Sequence, residues 1–249
     1  MPDSPSVPVP PAWYASTGRS RWGDWWAVLH PPYTAWHLAY VLVGAGLAAH
    51  LNVQRLVATL LAFALAVGVA AHAFDEWKGR PLATSIPGSS LIAAGAASLA
   101  GAVALGVLGV TRVGWNLLWF VAVGVVLVVS YNFELLGGRL HRDVVFAAAW
   151  GAFPVLTAYY AQTGGMRVSA ALAAVFAFGL SHAQRVLSTE ARSLRRKTAW
   201  VEGRRGSTDG TVRPVDRESL LRPLERALVA LSWSVCALGI GLVVNSAGH

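Results

Sequence analysis

Seven apolar runs, each close to the ~20 residues that a helix needs to cross the hydrocarbon core of a bilayer, govern what this chain can fold into. They lie at 34–53, 55–74, 89–110, 114–133, 144–163, 168–187 and 224–245. The links between them are alternately bland and charged. The bland links hold only Arg55, Arg112 and Arg167. The charged ones hold Asp75, Glu76, Lys78 and Arg80, then Arg139, Arg142 and Asp143, then the basic stretch from Arg185 to Arg226. All 12 Asp and Glu, and all of the 20 Lys and Arg except those three, thereby share one side. Basic loops stay in the cytoplasm. The pattern predicts an all-α, polytopic transmembrane bundle of about seven helices. Its N-terminus is cytoplasmic, its C-terminus is outside, and its chemistry is confined to the cytoplasmic face.

Composition supports one membrane domain over 28–249. Apolar residues make up 55% of the chain and charged residues 13%, too little polar surface for a soluble domain. The net charge of +8 sits in the predicted cytoplasmic loops, where anionic lipid headgroups are the natural partner; no nucleic-acid partner is expected. Cys236 is the single cysteine and forms no intrachain disulfide. Residues 1–27 read as a disordered Pro-rich tail (PDSPSVPVPP) followed by an interfacial segment. There Arg19 and Arg21 interleave with Trp22, Trp25 and Trp26 as a short amphipathic helix. The tail lacks the charged start and apolar core of a secretory signal. Residues 198–222, with Gly203, Gly206 and Gly210, read as a mobile cytoplasmic loop.

Polar groups at membrane depth are costly and tend to mark function. Three clusters stand out. Helix 2 ends with His72, Asp75 and Glu76 at i, i+3 and i+4, on one face. They can hold a divalent cation: Mg²⁺ with oxygen ligands, or Mn, Fe or Zn with the imidazole added. Lys78 and Arg80 follow as candidate clamps for phosphate oxygens. The bland reading is an ordinary charged loop. Helix 4 ends with Tyr131, Asn132 and Glu134, then Gly137, Gly138, Arg139, His141, Arg142 and Asp143. Glu134 either completes a metal site or pairs with Arg139, and Tyr131 alone would pass for an interfacial anchor. Helix 6 ends with two adjacent stripes: His182, Arg185 and Thr189, beside Ser181, Gln184, Ser188 and Arg192. A polar stripe with arginines on an apolar helix suits an anionic ligand. Arg195, Arg196 and Lys197 read as snorkelling, orienting charge.

At this point the chain resembles the UbiA-type intramembrane prenyltransferase superfamily. The resemblance rests on three stretches: His72-Ala-Phe-Asp75-Glu76 with Gly79-Arg80-Pro81-Leu82; Tyr131-Asn132-Phe133-Glu134 leading to Trp150-Gly151-Ala152-Phe153; and Tyr160-Ala161-Gln162-Thr163-Gly164. It covers roughly residues 28–200. It implies a prenyl diphosphate and a lipophilic acceptor as partners, and transfer or cyclisation of the isoprenoid chain. Asp75 and Glu76 would hold Mg²⁺, with His72 as a third ligand. Glu134 or His141 would manage a proton. The substrate would meet Lys78, Arg80, Tyr131, Asn132, Arg139, His182, Gln184, Arg185, Ser188, Thr189 and Arg192. The expected location is the cell membrane of a bacterium or archaeon, active face to the cytoplasm.

The chain departs from the family pattern after helix 6, where Glu190 is the one acidic residue in Leu187-Ser188-Thr189-Glu190-Ala191-Arg192. Two other readings stay open. One is a metal-dependent membrane enzyme built from His72, Asp75, Glu76, Glu134 and His141 around Fe or Zn. The other is a non-catalytic lipid- or quinone-binding protein on a prenyltransferase-like scaffold.

Overall fold

The computed structural model describes residues 14, 20–135, 137–140 and 142–248. The expected disordered tail, along with Arg19 and His141, lies outside them. Each apolar run forms a helix. A short helix α1 (Arg21–Val28) opens the described segment, its N-terminus capped by Ser20, which accepts from Gly23 N–H. The amphipathic segment is therefore helical from Arg21. His30 turns the chain at φ 45° into α2 (Pro31–Gly46), whose first position is a proline. Then come α3 (Val53–Gly79), α4 (Gly88–Val113), α5 (Leu117–Asn132), α6 (Asp143–Thr163) and α7 (Val168–Arg196). A hairpin of β1 (Gly203–Gly206) and β2 (Val212–Val215) leads to α8 (Arg217–Ala247).

Length separates the helices. Five of them, α3, α4, α6, α7 and α8, are long and apolar enough to cross a membrane. Helices α2 and α5 have 16 residues each, about 24 Å at 1.5 Å per residue against a ~30 Å core. The run expected over 34–53 is cut short because the chain turns after Gly46, and Asn52 then caps α3 by accepting from Arg55 N–H. At 198–222 a hairpin and the first turns of α8 stand in place of an irregular loop. The reciprocal Asp216–Ser219 capping box starts that helix before the apolar run begins.

Helix α2 is the spine. It packs most extensively against α6 and α8, and Trp36 and Tyr40 are fully buried there. Close approach is made possible by small residues. A Cβ on Gly239 of α8 would stand 2.8 Å from Ala39 O, and one on Gly44 would stand 2.2 Å from Val155 O. Outward faces carry exposed apolar side chains, among them Leu108, Leu172, Val175 and Ile240, as a lipid-facing surface requires.

The two ends differ chemically. At one, Arg55 donates to Ala161 O, Gln162 O and Arg112 O, tying the C-termini of α6 and α4 to the start of α3. The Gln162 amide closes the same end, accepting from Asn52 N–H and donating to Asn52 O. The other end gathers the charged links: Lys78–Glu134 at 3.0 Å, Arg185–Asp143 at 3.0 Å and Arg195–Glu225 at 2.6 Å. Two π-helical segments, at Ala64–Ala71 in α3 and Ala148–Ala152 in α6, lie between these ends. Pro154 has no N–H to offer the Trp150 carbonyl four residues back. Trp150 O accepts a 2.8 Å bond from His37 Nδ1, which fixes that ring's tautomer.

Candidate functional site

The three polar clusters meet at the charged end. Tyr131, nearly buried at the end of α5, lies within electrostatic reach of Asp75 on α3, Asp143 on α6, and Arg185 and Arg192 on α7. Its ring packs edge-on against Trp150 with centroids 5.8 Å apart, and against Phe146 at 6.2 Å. Arg185 donates from Nε to Asp143 and places its guanidinium 5.1 Å from the centre of Phe146. This cation–π contact helps fix it at the charged end.

The first cluster divides. Glu76 is 1% exposed. Its Oε2 accepts from Leu82 N–H at 3.0 Å, and its Oε1 accepts from Thr84 N–H and Oγ1–H at 2.9 and 2.8 Å. The carboxylate thereby holds the loop between α3 and α4. Arg80 serves the same loop, donating to Ile86 O at 2.7 Å. Asp75, the position next to Glu76, is exposed. His72 donates from Nδ1 to Gly68 O and sits against the His30 ring, centroids 4.7 Å apart. Among the described residues, no group of three or more His, Cys, Asp or Glu could hold a metal ion; His141 lies outside them. Helical spacing gave the three residues a common edge, but loop closure turns Glu76 inward.

The second cluster is pinned locally. Glu134 pairs with Lys78. Asn132 Nδ2 donates to Val128 O of its own helix. Arg139 is exposed. In the third cluster the stripe of Ser181, Gln184 and Ser188 faces the interior. Ser181 donates to Tyr40 Oη at 3.0 Å, Tyr40 accepts from Trp36 Nε1, and Ser188 donates to Arg185 O. Gln184 is 3% exposed, and its Oε1 has no hydrogen-bond partner among the described residues. His182 is half-buried, and Thr189 is exposed and accepts from Arg192.

Beside this stripe lies a small cleft of about 30 Å³, lined by Tyr14, His30, Tyr33, Arg192, Arg195 and Arg196 with Glu225. Sequence reasoning missed it. Arg195 is not a snorkelling charge: it forms a bidentate pair with Glu225 on α8, at 2.6 and 2.9 Å. Tyr14 and His30 are hydrogen-bonded. Burial, with the charges of His72, Arg196 and Arg192 added, holds the His30 imidazole well below its ordinary value. Burial likewise raises the Tyr14 hydroxyl. The available signal was the spacing of Arg192, Arg195 and Arg196 on one helical face. Comparison with protein-family models, characterised proteins and solved structures finds no match for this chain.

Proposed function

We propose that this chain is an integral membrane protein that binds an isoprenoid-type lipid with a phosphate or diphosphate head, on a UbiA-like bundle. The ion pairs that join the three clusters, Lys78–Glu134 and Arg185–Asp143, with Tyr131 and Arg185 both packed on Phe146, carry this reading. Arg192 makes no ion pair among the described residues, which leaves its charge for an anion. Buried Gln184 adds polar capacity to the same stripe. The resemblance supplies the lipid class, and the positive-inside rule puts the site at the cytoplasmic face.

Binding is favoured over transfer. Ionising an allylic diphosphate requires the leaving group's charge to be neutralised by metal or arginine. Glu76 is committed to the 80–87 loop and Glu134 to Lys78, which weakens the case for a carboxylate-held Mg²⁺. The α7 arginines at the charged end then hold the head.

The test is binding of a geranylgeranyl diphosphate analogue to the purified full-length protein, with and without Mg²⁺. Metal-independent, salt-sensitive binding is expected, about tenfold weaker in Arg192→Ala and unchanged in Asp75→Asn; tenfold corresponds to about 1.4 kcal/mol. Absence of binding under every condition overturns the reading. Mg²⁺-dependent turnover lost in Asp75→Asn replaces it with a prenyltransferase.

A further inference from the structure

A larger concave feature lies away from the small cleft at Arg192. A cavity of about 530 Å³ opens between α3, α4, α5 and α6, within the size range of small-molecule sites. Phe63, Leu99, Val121, Leu127, Trp150 and Phe153 are among its apolar wall residues. It exists because the facing positions are small: Ala58, Ala62 and Ala66 recur every fourth residue on α3, and Gly106 and Gly124 face the same space from α4 and α5. The space is a half-open groove whose walls are mostly apolar, so its natural occupant is an apolar chain.

The cavity is long and chemically graded. Helix α3 lines it from Asn52 to Val67, about 22 Å of helix axis, which exceeds the ~15 Å half-thickness of a bilayer core. Within it the hydroxyl protons are spent. Thr59 donates to Arg55 O at 2.7 Å and Thr157 to Phe153 O at 2.8 Å. At the mouth, Arg55 is engaged with the carbonyls of Ala161, Gln162 and Arg112. The Arg112 guanidinium is different. It is exposed, it borders the cavity, and it makes no ion pair among the described residues.

We propose that this cavity binds a single-chain lipid carboxylate, with the hydrocarbon chain along α3 and the carboxylate at the mouth against Arg112. One uncommitted guanidinium beside a long apolar slot matches one negative charge on one chain, and a planar carboxylate suits its donor fork. The site shares the Trp150 ring with the anionic-head site but none of its polar groups, since none of Asp75, Tyr131, Arg185 or Arg192 lines it.

The probe is radiolabelled palmitate, added to the full-length protein in phosphatidylcholine nanodiscs. Saturable binding is expected. Ala62→Trp, which fills the slot, should weaken it more than about tenfold, and Arg112→Ala about five- to tenfold. Leu172→Trp, on an outward face of α7, should leave it unchanged. Palmityl alcohol should bind weakly, and equally well to the wild type and Arg112→Ala. Where Ala62→Trp fails to fold, the acid-against-alcohol comparison in Arg112→Ala carries the test alone. Lack of saturable binding overturns the site. So does binding indifferent to Ala62→Trp in folded protein. Equal affinity for acid and alcohol, or displacement of palmitate by a neutral quinone at lower concentration, overturns the ligand class. Diphosphate binding in the same samples reports the other end separately.

Discussion

A carboxylate at the mouth of a membrane helix can face a ligand or serve the backbone, and its hydrogen bonds decide which. Glu76 serves the backbone: three donors from Leu82 and Thr84 converge on it, and it is almost fully buried. Removing the acceptor orphans those donors, which costs about 1–3 kcal/mol for a buried group. Glu76→Ala should therefore lower the melting temperature in detergent, whereas Asp75→Asn, at an exposed position, should not. A stable Glu76→Ala variant would return Glu76 to the candidate ligands. His30 makes a second prediction at this scale. Its folded-state affinity for a proton is depressed, chiefly by burial. The unfolded chain, with an imidazole near pH 6.5, binds the proton first, so stability falls as pH drops below about 6.5. His30→Asn should flatten that dependence in thermal melts between pH 7.5 and 5; an unchanged slope would mean that another group titrates.

Helix positions were readable in the sequence because lipid-facing segments must be apolar for their whole length, and the seven runs became seven helices. What escaped was set by tertiary contact. The π-helical segment Ala64–Ala71 has no turn or breaker residue to announce it beyond one glycine, whereas Pro154, just after Ala148–Ala152, interrupts the α6 ladder and was legible. The Arg195–Glu225 pair joins residues 30 apart, and the cavity depends on small residues from several helices at once. Another cue was present: His37 inside an apolar run needed a partner, and the spare carbonyl of Trp150 is that partner. His37→Leu leaves this carbonyl without its donor and should destabilise the bundle by about 1–3 kcal/mol. Arg55 is the corresponding link at the other end, serving carbonyls from α4 and α6. Arg55→Ala should loosen those helix ends, visible as faster hydrogen exchange around 110–113 and 160–163 with little change near Asp75. Exchange that rises uniformly would mean that Arg55 supports the whole fold rather than one end.

At the scale of the whole molecule, the α7 arginines and Arg112 lie at opposite ends of the bundle, so orientation decides which compartment each proposed site meets. Most exposed tryptophans lie toward the two ends, Trp22, Trp26, Trp77 and Trp200 on the charged side and Trp115 and Trp119 on the bland side, with Trp233 midway along α8. Indole rings settle at headgroup level on either face of a bilayer, so they locate the membrane without orienting it. The basic residues supply the direction, because loops rich in Lys and Arg resist translocation. The hairpin after α7 holds Arg204, Arg205 and Arg213, whereas the α6–α7 turn holds only Arg167. Two cysteine variants separate the alternatives once the single native thiol is removed as Cys236→Ser. Ser207 and Met166 are both exposed, one in the hairpin and one in the turn between α6 and α7. In intact cells, a membrane-impermeant maleimide should label Met166→Cys and spare Ser207→Cys, with both reacting after lysis. The reversed pattern would place the charged end outside and remove the cytoplasmic pool of anionic heads from its reach. It would also bring the Arg112 mouth of the cavity to the cytoplasmic leaflet. The expected pattern leaves the cavity mouth on the outer leaflet, where a lipid carboxylate would enter without crossing the bilayer.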